Sequence, residues 1–330
     1  MTKYIKYDIV YAINILLEVI VIILIEDIIK EISNPKIDCS INELKIQLRK
    51  INGNGNILIV GTGGSYISAL YAKCIIEKNM QNLCEVLTPM EAMQGNVNLF
   101  SYVIIYSYKM KSYEINKVIQ ETLECENIKK IILITSNNAV NIINNKIKYI
   151  FYDTNHSENT YVSLKGIYYP AYLLINCFNT IKINNTINSI KIDYIKDSVI
   201  DIFYDKYSYY LAVLIERHFC ELGIVTVRLH EKKDFSHGRM NIINGNDIIY
   251  FKSFNYEEEY DDLLLDYLKN IKKCRVLNIE ELKNNFNNFE EILIWLKWII
   301  QIANYKKVDI YNKKDTKEDK KLFKYKEGRL

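Results

Sequence analysis

Hydrophobic positions along the chain alternate between short β-branched runs and longer stretches with helical period. The first long stretch predicts a helix over roughly residues 4–33, closed by Asn34-Pro35, and a second helix over Ile41 to Lys50, ending at Asn52-Gly53. Asn56 to Val60 reads as a strand. The turn Gly61-Thr62-Gly63-Gly64-Ser65 follows, and helical period resumes from Tyr66 to Lys78. The pattern repeats with strands at Tyr102 to Tyr106, Lys130 to Ile134 and Tyr149 to Tyr152, a helix running to about Cys125, and a long apolar helix over 161–182. A second round starts near residue 197. Its strands are Val199 to Tyr204, Ile224 to Arg228, Asp247 to Lys252 and Cys274 to Asn278. Its helices are Tyr207 to Leu222, Glu257 to Ile271 and Asn288 to Asn304. Strands alternating with helices imply an α/β fold whose parallel sheets are covered on both faces. Two such rounds imply two similar domains joined around 183–197.

A length of 330 residues agrees with that, at about 150 residues per domain. The balance of 49% apolar and 25% charged residues excludes wholesale disorder. A net charge of +3 is too even to make nucleic acid the expected partner. The seven cysteines are widely spaced and form no CxxC, so reduced thiols in a cytoplasmic protein are expected, without a disulfide framework or zinc cluster. The apolar stretch Ile9 to Ile25 is broken by Glu18 and followed by Glu26 and Asp27. It therefore reads as a packed helix rather than a membrane span or a secretory leader.

Candidate chemistry gathers at the predicted strand ends. The Gly61–Ser65 turn joins a strand to a helix, where backbone N–H groups and the helix dipole favour an anion. Glycines let a ligand approach, and Thr62 and Ser65 supply hydroxyls. It has neither the lysine of a Walker A loop nor the GxGxxG spacing of a dinucleotide site. A polar turn from Ser107 to Ser112, carrying Lys109 and Lys111, follows the next strand of the first round, and Thr135-Ser136 ends the one after. Loops at the carboxyl ends of an open parallel sheet line one crevice. Hydroxyls, amides and a lysine there suit a phosphate monoester with no metal.

With these residues the chain resembles the double sugar isomerase (SIS) domain proteins over roughly residues 40–325. Gly61-Thr-Gly-Gly-Ser-Tyr66 resembles the family's first loop. Ser107-Tyr-Lys-Met-Lys-Ser112 resembles its S-x-S-G-x-T loop, with Lys109-Met110 in place of Ser-Gly. Glu158-Asn-Thr-Tyr-Val-Ser163-Leu-Lys165 resembles the E-x-x-V-x-S-x-K segment that completes the pocket and contributes Ser163. Glu221 is followed sixteen residues later by His237, inside Asp234-Phe-Ser-His-Gly-Arg239, which resembles the family's Glu…His-Gly pair with Arg239 in place of Pro. Lys320-Lys321-Leu-Phe resembles the tail segment that brings a lysine, Lys321, to the site.

The resemblance implies two flavodoxin-like domains, each a parallel sheet sandwiched by helices. The expected organisation is an N-terminal helical segment at 1–39, one SIS domain at 40–185, a second at 195–312, and a charged tail at 313–330 that contributes to the site. It also implies a homodimer and catalysis without a metal or nucleotide cofactor. No glutaminase domain or N-terminal nucleophilic cysteine is present, so a complete glutamine-dependent synthase is not expected.

In such a site Glu221 would move a proton between adjacent sugar carbons through an enediol. His237 would open the ring by carrying a proton between ring oxygen and hydroxyl, and Lys321 would stabilise the oxyanion. Arg239 would bind a phosphate or carboxylate, or else form an ion pair at a subunit boundary. The expected activity is a sugar-phosphate isomerase or an amino-sugar-phosphate deglycase. The alternative is a phosphosugar-sensing module without catalysis, favoured by the Lys109-Met110 replacement and by the glycine-free turn Asp205-Lys-Tyr-Ser208. Glu221 also reads as a solvated helix-end residue. His156 and His218 read as structural or surface histidines, and His230 shows that a histidine in this region need not be catalytic.

Overall fold

The computed structural model describes residues 35–138, 142–152, 163–179, 194–252, 258–277 and 288–310. These divide into two units, residues 35–179 and residues 194–310. The predicted helix at 4–33, the segment around Glu158 and the tail with Lys321 lie outside the described residues.

The first unit opens with α1 (Pro35–Ile51). Pro35 thus begins a helix, since its fixed φ suits a first helical turn as well as it ends a preceding helix. Next come β1 (Ile57–Val60), α2 (Gly64–Asn79), β2 (Cys84–Leu87) and α3 (Pro89–Gln94). They are followed by β3 (Tyr102–Tyr106), α4 (Tyr113–Glu124), β4 (Lys130–Thr135), β5 (Ile147–Phe151) and α5 (Lys165–Phe178). The sheet is parallel throughout, in the order β2-β1-β3-β4-β5.

β1 and β3 are buried along their whole length, as strands covered on both faces must be. Leu58, Val60, Val103 and Ile105 point to one face, where they pack with Ile115, Val118 and Ile119 of α4 and Ala92 of α3. By alternation Ile57, Ile59 and Ile104 point to the other face. There α2 packs on α5, and the Ser68 hydroxyl donates to the Gly166 carbonyl at 2.9 Å. β2 and α3 are elements that periodicity does not predict. α3 is set by a capping box, in which Thr88 Oγ1 accepts from Glu91 N and Glu91 Oε2 accepts from Thr88 N.

The second unit contains β6 (Val199–Tyr204), α6 (Tyr209–Leu222), β7 (Thr226–Glu231), the short α7 (Lys232–Phe235) and β8 (Asp247–Tyr250). After these come α8 (Glu258–Asp266), which continues as a π-helical turn (Tyr267–Ile271), then β9 (Arg275–Val276) and α9 (Asn288–Tyr305). Its sheet is also parallel, in the order β7-β6-β8-β9. Phe203, Ile248 and Tyr250 pack with Phe235 of α7 and with Leu264, Leu265 and Leu268. On α9, Trp298 meets Phe219 of α6 at 5.3 Å between ring centroids.

None of the seven cysteines forms a disulfide; Cys39 and Cys220 are exposed, and Cys74, Cys84, Cys177 and Cys274 are buried. Among the described residues no helix is long and apolar enough to cross a membrane, and no group of three or more His, Cys, Asp or Glu is placed to hold a metal.

Candidate functional site

In the first sheet the chain goes from β1 out to β2 on one side and returns to β3 on the other. This makes the gap between the carboxyl ends of β1 and β3 a topological switch point, where open α/β sheets bind ligands. The Gly61–Ser65 and Ser107–Ser112 loops leave the sheet on either side of it.

The first loop is shaped by close approach. A Cβ on Gly61 would stand 2.3 Å from the Ser65 carbonyl oxygen, and one on Gly64 would stand 2.6 Å from Ser163 Oγ, so neither position takes a side chain. The Gly64 contact brings Ser163, just ahead of α5, against the N-terminus of α2. Ser65 is buried. Thr62 and Gly63 are partly exposed. The Ser65 and Tyr66 N–H groups close tight turns onto the carbonyls of Thr62 and Gly63.

The second loop is held by its own polar groups. Met110 N donates to Ser107 Oγ at 3.2 Å, and Met110 takes the left-handed φ of 51° while its side chain is buried in the core. The Tyr108 carbonyl accepts from Ser136 Oγ at 2.7 Å and Thr135 Oγ1 at 3.2 Å, and the Lys109 carbonyl accepts from Asn137 Nδ2 at 2.9 Å. The hydroxyls of Thr135 and Ser136 thus fasten one strand-end loop to the next. Lys109 is exposed, with Nζ 5.8 Å from the Tyr108 ring centroid. Ser112 stands at the N-cap of α4, but its hydroxyl caps nothing; Oγ is buried without a hydrogen bond among the described residues. A hydroxyl covered by protein, beside a helix N-terminus and without a partner, is unusual and suits an anionic acceptor.

Glu221, His237 and Arg239 belong to the second unit. Glu221 is exposed in the last turn of α6, which ends at Gly223 with a left-handed φ of 62°. α6 returns along the sheet to the start of β7, so Glu221 stands near the amino end of that strand. His237 follows α7, beyond its carboxyl end. The six residues of β7 separate them by about 20 Å, so the unit does not by itself bring the two together. His237 is exposed, and its N–H donates to the Asp234 carbonyl at 3.0 Å. Arg239 Nη1 donates to the Leu229 carbonyl at 2.9 Å, and its Nε lies 3.4 Å from Asp234 Oδ2.

Two buried polar clusters in this unit were not anticipated. Asp201, fully buried in β6, accepts from Arg228 Nε at 2.7 Å and Nη2 at 2.8 Å and from Asn246 Nδ2 at 2.7 Å, and lies 2.7 Å from His230 Nε2. Burial alone would raise its pKa, but the hydrogen bonds from His230, Arg228 and Asn246 outweigh burial and hold it below the usual carboxylate range. His230 Nδ1 is buried and has no hydrogen bond among the described residues. The second cluster joins Lys232, Asp261, Asp205 and Tyr250 at the strand ends. A lone Asp in the run Val199–Tyr204 and alternating Arg228 and His230 in β7 are the sequence signals that point to the first cluster.

No family model and no curated protein matches the chain. Solved structures do. Tagatose-6-phosphate ketose/aldose isomerase from Escherichia coli aligns with a TM-score of 0.65 at 13% identity, over 83% of this chain and 87% of that one. The C-terminal domain of glucosamine-fructose-6-phosphate aminotransferase from Francisella tularensis gives 0.61 at 12% identity, over 82% and 90%. Glucosamine-6-phosphate deaminase from Thermotoga maritima gives 0.59 at 14% identity, over 86% and 98%. The chain therefore has the double-SIS fold, two parallel α/β units in succession, as the sequence predicts.

Proposed function

We propose that the chain binds a sugar phosphate at the β1/β3 crevice of its first unit and shifts a proton between adjacent sugar carbons, as an aldose–ketose isomerase or an amino-sugar-phosphate deglycase. The observation that carries this reading is the unpartnered Ser112 hydroxyl at a helix N-terminus, across the switch point from the glycine-walled turn. Ser107, Lys109, Ser163 and the amide of Gly64 complete the phosphate's surroundings, and Thr135 and Ser136 hold their loop in place. Three solved structures with this fold are named for sugar-phosphate chemistry, which supports the substrate class.

Glu221 takes a proton from the carbon next to the carbonyl and returns it to the carbon that bore the oxygen, with an enediol between. His237 carries the proton that opens the ring, Lys321 is assigned by the family resemblance alone to stabilise the developing oxyanion, and Arg239 adds positive charge near His237. The separation of Glu221 from His237 by the length of β7 within one unit supports a homodimeric working form, in which the two would come from different copies. Glu221→Gln and His237→Asn, each inactive alone, should regain part of the activity when mixed and refolded together. A panel of hexose and amino-sugar phosphates showing turnover that Glu221→Gln abolishes, with binding intact, supports the enzyme. Binding without turnover on every member favours the sensor, a reading that the exposure of both residues and their separation also favour.

A further inference from the structure

We propose that Lys232 is the residue that positions His237, an inference that rests on the role given to His237 above. Lys232 is 1% exposed and comes directly after β7, five residues before His237. Its Nζ donates to the Phe251 carbonyl just past β8 at 2.9 Å and to Asp261 Oδ1 and Oδ2 of α8 at 2.9 and 3.3 Å, and it reaches Asp205 Oδ2 just past β6 at 3.5 Å. It also lies 5.3 Å from the Tyr250 ring centroid. Tyr250 Oη donates to the same Asp261 oxygen at 2.7 Å, and Tyr260 Oη donates to the Lys232 carbonyl at 2.8 Å. One ammonium thus ties three strand ends and a covering helix to a single point.

A buried ammonium tolerates few positions, because each N–H that loses its partner away from water is costly. The root of the Lys232–Arg239 segment is fixed accordingly. Phe235 seals the middle of the segment, edge-on to Phe203 at 4.9 Å, and Arg239 fastens its far end to the Leu229 carbonyl. His237 is left exposed on a loop held at three places. For packing alone an apolar chain of similar length would serve, since buried ion pairs are often replaceable by apolar residues without loss of stability. What the charge adds is a fixed direction for the loop that carries the imidazole.

The test is the double variant Lys232→Met/Asp261→Asn, which leaves no carboxylate at 261 and keeps an acceptor there for Tyr250, while Asp205 loses the ammonium but keeps the hydrogen bonds that its Oδ1 accepts from Tyr207 N, Ser208 N and Ser208 Oγ. Amide hydrogen exchange should quicken about tenfold or more across residues 233–241, while β6 and β8 keep their protection. With a sugar phosphate that is turned over, kcat should fall about tenfold or more while KM moves by less than about twofold. Tyr260→Phe, a milder loosening of the same root, should quicken exchange in the same segment by about threefold. Unchanged exchange over 233–241, or equal loosening of every strand in the unit, overturns the inference. If no sugar phosphate is turned over, the functional reading fails, and the exchange measurement still decides what Lys232 does.

Discussion

Met110 combines a buried side chain with a backbone conformation that favours glycine, and the two can be separated by substitution. Its φ is 51°, it is 6% exposed, and it belongs to the core cluster of the first unit. Met110→Ala removes the buried side chain and keeps the left-handed backbone, an expected loss of about 2–5 kcal/mol. Met110→Gly removes slightly more side chain but relieves a left-handed penalty of about 1–2 kcal/mol, against about 0.5–1 kcal/mol of extra chain entropy lost by glycine on folding. Glycine should therefore come out about 0.5–1 kcal/mol more stable than alanine, the reverse of their usual order. Urea denaturation of both variants measures the difference, and a Tm difference of roughly 2 °C should accompany it. Alanine equal to or more stable than glycine would refute the reasoning, because the loop would then not need a left-handed residue at 110.

Other outcomes follow from the described contacts. Ser112→Ala should weaken inorganic phosphate binding by about 10-fold or more, with stability unchanged or slightly higher because a buried unpaired hydroxyl is removed; calorimetric titration and melting check the two halves. Asp201→Asn should cost about 3 kcal/mol at neutral pH by unpairing Arg228 and His230. Asp201 has a folded-state pKa below its ordinary value, so its contribution is present above about pH 4 and is lost as pH falls through the folded pKa. The gap between wild type and Asp201→Asn should therefore close in acid, as denaturation midpoints across pH would show.

The alternation of strands and helices carries the fold because both sheets are buried on two faces, and their strands must be continuous apolar runs. Tyr102–Tyr106 and Val199–Tyr204 are found where the pattern puts them. β2 escapes the pattern because an edge strand of four residues, Cys84–Leu87, is only partly covered and includes a glutamate. α3 is too short for periodicity, although Thr88-Pro-Met-Glu91 spells its capping box. The strand-end loops of the first unit are readable because glycine and serine carry their meaning locally. The Asp201 and Lys232 clusters are not readable in the same way. Their members come from strands and helices far apart in sequence, and only the parallel register sets Asp201 beside Arg228. Met110 hides for another reason, since nothing in a methionine announces a left-handed turn.

The thiols have a practical consequence. Burial pushes the Cys177 thiol up to about 12, so at neutral pH it is protonated and slow to alkylate. Cys39 and Cys220 are exposed, the first in one unit and the second in the other, next to Glu221. With the partly exposed Cys125 replaced by serine, a maleimide dye should therefore settle on one natural position in each half of the chain, more slowly at Cys220, whose thiol burial and the neighbouring Glu216 push up. Fluorescence transfer between two such dyes would follow any rearrangement of the halves when a sugar phosphate is added, with no engineered cysteine.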